Sequence, residues 1–260
     1  MPTDLNLSKE AEFARSLALA AAREILPRFR TDLPVADKAD SSPVTEADRG
    51  AESVMRDLIK KHRPAHGIIG EEYGKENENA DFVWVLDPID GTKSFIAGVP
   101  LFGTLIALLY QNTPVLGVIH QPVLNETWLG AAGMPTTLNG RPVHTRIQTD
   151  ICKSTLFCTD VSMFENNDLT AFQALKSRAK LTRWSTDCYG YALVASGQAD
   201  LVCEADMKLY DFAALVPVVE NAGGVMSDWR GNPLNAFSDG HVLAAGNKTI
   251  QEQALRALNA

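Results

Sequence analysis

The stretch Val85-Leu86-Asp87-Pro88-Ile89-Asp90-Gly91-Thr92-Lys93-Ser94-Phe95 places two aspartates, a proline and a glycine directly after a run of apolar residues. Asp, Pro and Gly are common turn formers, so a surface turn after a buried strand is one interpretation. Two carboxylates this close repel each other unless a positive charge lies between them. The second interpretation is therefore a metal site, in which the Pro88-Ile89 step turns the chain so that Asp87, Asp90 and the Ile89 carbonyl face one point.

Acidic residues also follow other predicted elements. Glu71 and Glu72 come directly after the apolar stretch at residues 67–70, and Asp211 lies in the first turn of a helix predicted at residues 210–221. Ligands of α/β folds commonly bind at the ends of buried strands. A site made of carboxylate and carbonyl oxygens selects hard cations such as Mg²⁺, Mn²⁺ or Ca²⁺. Each motif alone also fits a turn, a solvated strand end or a helix-start charge, so the metal interpretation depends on their joint occurrence.

The residues after Asp90 add a candidate anion site. If a helix begins at Thr92, its first N–H groups and its dipole would hold a phosphate next to the cations. Further upstream, Thr45 and Asp48 have the spacing of a capping pair at the start of a helix. Asp48 therefore has a structural explanation as well as a functional one.

Composition restricts the possible partners. The chain has 260 residues, 45% of them hydrophobic, and a formal net charge of -8, which fits one large domain or two small domains packed together. An acidic protein is poorly suited to bind nucleic acid or an anionic membrane surface, and the longest apolar runs are shorter than a membrane span. No secretory leader is apparent, and the four cysteines form no C-x-x-C pair. We therefore expect a cytoplasmic protein with reduced thiols, without nucleic-acid or membrane partners.

Motifs of several other enzyme classes are missing from the sequence. It contains no G-x-G-x-x-G, no complete P-loop, no G-x-S-x-G and no H-E-x-x-H, and its five histidines are isolated. Dinucleotide-binding, nucleophile-elbow and zinc-protease chemistry are therefore unsupported, and the carboxylates are left as the candidate chemical groups.

Hydrophobic periodicity predicts layered helices and sheets of mixed direction. A soft boundary near residue 145 divides residues 1–145, which carry most of the acidic motifs, from residues 146–260, and we expect the two halves to form one compact catalytic unit. The helices are predicted at residues 8–27 with Ser8 as N-cap, after Thr45 as N-cap, at 169–179, at 189–195, at 210–221 with a kink at Pro217, and from a capping box at 249–252. The strands are predicted at residues 67–70, 82–86, 105–110, 115–119, 126–129, 154–158, 200–203, 225–228 and 242–245, with a hairpin at Asn139-Gly140.

Four segments together resemble motifs of the inositol monophosphatase superfamily of metal-dependent phosphomonoesterases. They are Ser42-Pro43-Val44-Thr45-Glu46-Ala47-Asp48, Ile69-Gly70-Glu71-Glu72, the stretch from Trp84 to Thr92, and Tyr210-Asp211-Phe212-Ala213-Ala214 followed by Glu220-Asn221-Ala222-Gly223-Gly224. The resemblance spans residues 42–224, although Tyr210 stands where the family often has Trp. It implies an α/β (α+β) fold, namely a five-layered α/β/α/β/α sandwich, and a homodimer sensitive to Li⁺.

The resemblance also implies a set of metal ligands. Glu71, Asp87 and the Ile89 carbonyl would hold one Mg²⁺, and Asp87, Asp90 and Asp211 would hold a second. Glu71 would also help to hold a third, weaker ion. The implied cofactor is Mg²⁺, two or three ions per active site, with Mn²⁺ as a substitute.

The implied catalytic residues are Asp48, Thr92 and Glu71. Asp48 and Thr92 would form a hydrogen-bonded pair that orients the attacking water. Asp90 and the backbone amides of Gly91 and Thr92 would bind the phosphate of a small phosphate ester.

Within the superfamily, residues 91–108, 187–195 and 204–208 are most similar to the histidinol-phosphate phosphatase branch of histidine biosynthesis. The resemblance places Thr186, Asp187, Glu204 and Asp211 at the substrate, and two acids there suit a cationic leaving group. A 3′-phosphoadenosine 5′-phosphate nucleotidase and an inositol-1-monophosphatase are alternatives within the superfamily. An inactive binding homologue is the alternative from another class.

Overall fold

The computed structural model describes residues 7–32, 34–37 and 43–260, so Ser42 of the first motif lies outside the described residues. The helices are α1 Ser8–Ile25, α2 Glu46–His62, α3 Thr92–Ile96, α4 Asn167–Arg178, α5 Asp187–Ala195, α6 Leu209–Phe212, α7 Leu215–Glu220 and α8 Lys248–Leu258, with 3₁₀ turns at Leu26–Arg28, Ile151–Lys153 and Val161–Met163. The strands are β1 Ala36–Asp37, β2 Pro43–Val44, β3 Gly67–Gly70, β4 Gly74–Glu76, β5 Phe82–Asp90, β6 Gly103–Tyr110, β7 Thr113–Gln121, β8 Glu126–Ala131, β9 Met134–Leu138, β10 Arg141–Pro142, β11 Thr155–Phe157, β12 Leu181–Arg183, β13 Leu201–Glu204, β14 Val225–Ser227 and β15 Val242–Ala245.

The described strands form two large sheets and a short β1–β2 ladder. The larger sheet has the order β10-β9-β8-β7-β6-β5-β3-β4, and its neighbours are antiparallel except for the parallel pair β3–β5. The smaller sheet has the order β12-β11-β13-β15-β14; β11 runs parallel to both of its neighbours, and β15 runs antiparallel to both of its own. The predicted antiparallel hairpins and the Asn139-Gly140 turn between β9 and β10 are confirmed.

Helices and sheets alternate in five layers. Helices α1 and α2 cover one face of the larger sheet through a core that includes Leu17, Met55 and Trp84. Helices α5 and α7 lie between the two sheets, and α4 and α8 cover the outer face of the smaller sheet. The predicted five-layered α/β/α/β/α sandwich is therefore confirmed. The division of the chain near residue 145 stays a prediction; the larger sheet ends at Pro142 and the smaller sheet begins at Thr155.

The middle layer lies unusually close to the larger sheet. A Cβ atom placed on Gly117 of β7 would lie 1.9 Å from the carbonyl oxygen of Ala214, which joins α6 to α7. Only a residue without a side chain permits this approach. The close contact holds the short helix α6, and with it Asp211, against the sheet that carries β5.

Several predicted boundaries differ from the structure. Helix α1 has Leu7 as its N-cap, and Asn247, whose side chain accepts a hydrogen bond from the Ile250 amide, caps α8 in place of the predicted box at residues 249–252. The predicted kink at Pro217 is wrong, because the chain breaks before α7 and Pro217 lies in its first turn. Proline is tolerated there because the first amides of a helix have no partner within the helix. Strand β12 was not predicted.

In the described parts of the chain, no helix is both long enough and apolar enough to cross a membrane.

Candidate metal centre and substrate pocket

The opening motif forms a β-bulge, and of its two interpretations the surface turn is excluded. Strand β5 continues to Asp90, where Asp87 pairs with Leu105 and Asp90 pairs with Gly103. Two residues of β5, Pro88 and Ile89, therefore lie opposite one residue of β6, which is the definition of a bulge. Bulges also accommodate a proline within a sheet.

The bulge explains how two aspartates three positions apart share one face. In a regular strand, residues three apart point to opposite faces of the sheet. Here Leu86 and Ile89 both pack in the outer core against α1 and α2, so the extra residue shifts the alternation. The Thr104 hydroxyl donates a hydrogen bond of 2.8 Å to the Pro88 carbonyl and fixes the bulge from the neighbouring strand.

Three carboxylates meet at this point of the fold. One oxygen each of Asp87, Asp90 and Asp211 lies within 4.8 Å of the other two. Asp211 comes from the first turn of α6, where its carboxylate accepts a hydrogen bond of 2.6 Å from the Lys208 amide. The Asp90 carboxylate accepts one of 2.6 Å from the Cys188 amide of α5. The predicted meeting of residues far apart in sequence is thus observed.

Burial and mutual repulsion dominate the electrostatics of this cluster. Burial, followed by the charges of Glu71, Asp90 and Asp211, raises the pKa of Asp87 well above its ordinary value. Burial and the charges of Asp187 and Asp211 raise the pKa of Asp90. Burial and the charges of Glu71 and Glu204 raise the pKa of Asp211 to about 7, although the Lys208 amide bond opposes the shift.

The cluster fits a divalent cation. Asp87 Oδ1 is buried and has no hydrogen-bond partner among the described residues, an arrangement that costs free energy unless something binds the oxygen. The donor set consists of carboxylate oxygens, which Mg²⁺ and Mn²⁺ prefer. Glu71 follows β3 directly, and its charge acts on both Asp87 and Asp211. Ile89 lies inside the same bulge, although its side chain faces the outer core.

The predicted hydrogen bond between Asp48 and Thr92 is not formed. Asp48 Oδ2 accepts hydrogen bonds from the Thr45 amide, at 2.8 Å, and from the Thr45 hydroxyl, at 2.6 Å, which confirms the capping pair. Its other oxygen, Oδ1, is buried and has no hydrogen-bond partner in the part of the chain that the structure describes. The Thr92 hydroxyl donates instead to the Ile89 carbonyl at 3.1 Å, so its hydrogen is directed at the bulge and not at Asp48. Burial raises the pKa of Asp48, and the charge of nearby Glu71 adds a smaller contribution in the same direction.

Helix α3 begins at Thr92, as predicted, with Gly91 as its N-cap in a left-handed conformation at φ 83°. A Cβ on Gly91 would lie 2.8 Å from the Asp187 carboxylate carbon, so glycine is required for both conformation and space. Phosphate binding by the Gly91 and Thr92 amides stays a prediction.

A cavity of about 330 Å³ adjoins the carboxylates. The site residues that line it are Glu71, Asp90, Gly91, Thr92, Asp187, Glu204 and Asp211. Among the described residues that line this cavity, Lys93 is the one base, whereas Asp160 and Asp206 add further acids.

Asp187 and Glu204 are held by neighbours of different kinds. Asp187 has a left-handed backbone with φ 45°, and its carboxylate accepts a hydrogen bond of 2.6 Å from the Ser94 hydroxyl. Such strain in a residue other than glycine is frequent at functional sites. Glu204 is 2% exposed and accepts hydrogen bonds of 2.8 Å from the Thr159 amide and the Tyr191 hydroxyl.

Thr186 is not among the described residues that line the cavity. Its hydroxyl oxygen is buried without a partner and lies 2.7 Å from the position that a Cβ on Gly190 would occupy. The hydroxyl is thus directed at its own helix, and contact between Thr186 and a substrate stays a prediction.

Sequence reasoning did not identify two buried residues around the site. Tyr191 holds Glu204 and lines the cavity, and Glu52 of α2 holds the turn that contains Glu71. The signal for Glu52 was its position, since it lies four residues after Asp48 and four before Arg56 on one helix face.

Comparison with known proteins identifies the family. A model of the "Inositol monophosphatase family" matches residues 6–260. The "Bifunctional phosphatase IMPL2, chloroplastic" of Arabidopsis thaliana is 45% identical, over 98% of this chain and 77% of that protein. The "Histidinol-phosphatase" of Chlorobaculum parvum is 36% identical, over 97% of both chains. A solved structure of an inositol monophosphatase from Zymomonas mobilis superposes with a TM-score of 0.91 at 44% identity, over 98% of this chain and 100% of that one. This chain therefore belongs to the inositol monophosphatase family.

Proposed function

We propose that this protein is a Mg²⁺-dependent phosphomonoesterase that hydrolyses L-histidinol phosphate to L-histidinol and phosphate, a step of histidine biosynthesis. The observation that carries the choice of substrate is the acidic cavity next to the carboxylate cluster, lined by Asp187, Glu204, Asp160 and Asp206. Histidinol carries an ammonium and an imidazole beyond its phosphate, and a partly buried cation needs a counter-charge. Relatives named histidinol-phosphatase, at 33–36% identity, support the same choice.

The carboxylate cluster defines how the reacting groups would be held. Glu71, Asp87, Asp90, Asp211 and the Ile89 carbonyl would hold two or three Mg²⁺, with Mn²⁺ as a substitute. Bound Mg²⁺ supplies Lewis-acid polarisation of the ester and lowers the pKa of a bound water.

The remaining groups of the chain would bind the phosphate and move the proton. The Gly91 and Thr92 amides would bind phosphate oxygens at the start of α3. Asp48 Oδ1, which is buried and has no partner among the described residues, would accept one proton of the attacking water, and Glu71 would help to orient that water. The Thr92 hydroxyl would orient that water after turning away from the Ile89 carbonyl.

Inositol monophosphate is the second candidate substrate. Glu204 is held rigidly by Tyr191 and Thr159, and its remaining lone pairs suit a sugar hydroxyl as well as a cation. An "Inositol-1-monophosphatase" of Synechocystis is 33% identical to this chain. The nucleotidase alternative has less support. An adenine would need an aromatic side chain to stack on, and Trp184 packs against Phe172 and Lys176.

Phosphate release from three esters tests the proposal. Purified protein with saturating Mg²⁺ should release phosphate fastest from L-histidinol phosphate, more slowly from inositol 1-phosphate and 3′-phosphoadenosine 5′-phosphate, and from none of them after chelation. Faster release from inositol 1-phosphate would overturn the choice of substrate. Mg²⁺ binding without release from any ester would favour the inactive homologue.

Variants of the cavity test the cation argument separately. Asp187→Asn and Glu204→Gln should raise KM for L-histidinol phosphate more than they raise KM for a small phosphate monoester whose leaving group is uncharged. An equal loss on both esters would contradict a cation pocket. Homodimer formation and cytoplasmic location stay predictions, and light scattering of the purified protein tests the first.

A further inference from the structure

The turn between β3 and β4 holds Glu71, and its backbone is fixed from outside the sheet. Gly70 pairs with Gly74, so the turn consists of Glu71, Glu72 and Tyr73. The Glu71 amide donates to the Leu86 carbonyl of β5 at 3.1 Å. The amides of Glu72 and Tyr73 instead donate to the carboxylate of Glu52, at 2.7 Å and 3.1 Å.

Glu52 is buried directly against this turn. Its residue is 0% exposed, and a Cβ on Gly70 would lie 2.0 Å from Glu52 Oε1, so the carboxylate is in direct contact with the end of β3. Arg56, one helical turn later, balances the charge through a hydrogen bond of 3.0 Å to Glu52 Oε1. The same guanidinium donates to the Gly74 carbonyl at 3.0 Å on the far side of the turn. Glu52 and Arg56 therefore hold both ends of the turn through hydrogen bonds to its backbone.

One helix thus supplies the carboxylate that holds this turn. Glu52 lies on α2, four residues after Asp48 on the same face, and it binds the backbone on either side of residue 72. Groups behind metal ligands commonly set ligand orientation, and losing them typically costs about 10–100-fold in metal affinity.

We propose that Glu52 is a positioning residue of the metal centre: through the Glu72 and Tyr73 amides it fixes the Glu71 carboxylate in place for cation binding. The inference rests on the proposed function only in that Glu71 is a Mg²⁺ ligand. Glu52 touches neither cation nor ester in this role and acts through the turn.

The test compares Glu52→Gln with Glu76→Gln. Glu76 contacts the same arginine at 3.5 Å but makes no contact with the Glu72 and Tyr73 amides, so it is a matched control. We expect Glu52→Gln to raise the Mg²⁺ dissociation constant, measured by calorimetry without substrate, by about tenfold or more, and to speed hydrogen exchange at the two amides. Excess Mg²⁺ should restore most of the phosphate release, and Glu76→Gln should bind Mg²⁺ like the wild type.

Two results would overturn the proposal. One is Mg²⁺ binding by folded Glu52→Gln within twofold of the wild type; the other is equal weakening by Glu76→Gln. Glu52→Asp, which keeps the charge and shortens the reach, serves the same comparison if the glutamine variant does not fold. A wild type that binds Mg²⁺ but releases no phosphate from any ester would contradict the proposed function and leave this test intact, because calorimetry needs no turnover.

Discussion

Two groups of acidic side chains in this protein have opposite surroundings. Asp200, at 1% exposure, accepts hydrogen bonds from both ends of the Arg146 guanidinium and one of 2.7 Å from the Thr155 amide. Buried Asp87 and half-buried Asp90 and Asp211 face one another, and one oxygen of Asp87 has no partner among the described residues. A buried acid balanced by the chain's own cation serves stability, whereas acids that repel each other at close range indicate a site completed by an external cation.

The largest expected effect comes from removing one acid of the repelling group. Asp90→Asn should lower Mg²⁺-dependent phosphate release by at least about a thousandfold, since a bound metal is worth several kcal/mol in the transition state. The melting temperature in EDTA should not fall, because asparagine can still accept the bond from the Cys188 amide and one repelling charge is gone. Near-normal rates at saturating Mg²⁺ would refute the ligand role.

Removing Asp200, the acid that Arg146 balances, should lower stability and leave activity unchanged. Asp200→Ala leaves Arg146 unpaired and the Thr155 amide without its acceptor, so the free energy of unfolding in urea should fall by about 3 kcal/mol. This is the low end for a broken buried pair, because the Arg146 side chain is 38% exposed and can be hydrated. The folded variant should keep wild-type phosphate release at 25 °C. A large loss of activity with unchanged stability would contradict the assignment of Asp200 to stability.

Variants of the two groups should differ in how much Mg²⁺ raises their melting temperature. Mg²⁺ at a hundred times its dissociation constant stabilises a protein by about 2.7 kcal/mol, which for a chain of this size corresponds to a rise of roughly 5–10 °C in melting temperature. The rise should be much smaller in Asp90→Asn and unchanged in Asp200→Ala. A rise of the same size in all three proteins would place the bound Mg²⁺ elsewhere.

Local patterns predicted the elements of this fold and the meeting of the acids, but not the geometry of the bulge. The continuous apolar run at 82–86 predicted a buried strand, and turn-forming residues after it suggested that the strand ends there. The strand continues, because the Thr104 hydroxyl on β6 binds the Pro88 carbonyl. That interaction joins residues 16 positions apart and leaves no trace in the local pattern.

The same limit applies to the residues that support the site. Glu52 looked like an ordinary helix residue, since its role depends on backbone amides of a turn 20 residues later. The Asp48–Thr92 pair was expected from the family resemblance, but the Thr92 hydroxyl donates to the Ile89 carbonyl inside the bulge. Local competition for a hydrogen bond is decided by packed geometry, which spacing along the chain does not fix.

The smallest expected effect concerns a third kind of buried charge-bearing group, the base His120. It is 1% exposed, its ring bonds the Thr127 hydroxyl at 2.8 Å, and burial lowers its pKa to about 4 from the ordinary 6.5. Because the unfolded chain takes up a proton below pH 6.5 and the folded ring does not until about pH 4, stability falls as the pH drops through this window. Between pH 6.5 and 5 this amounts to about 2 kcal/mol, at 1.36 kcal/mol per pH unit.

His120→Asn isolates this contribution. Asparagine keeps a polar group within reach of Thr127 but does not titrate, so urea unfolding of the variant should lose about 2 kcal/mol less than the wild type over the same pH interval. The raised pKa values of the acidic cluster act in the opposite direction, since protonation of those acids favours the folded state. They are common to both proteins and cancel in the difference. Equal acid sensitivity of the two proteins would mean that the His120 ring gains its proton in the folded state. Burial in the larger sheet would then not be enough to keep this ring uncharged.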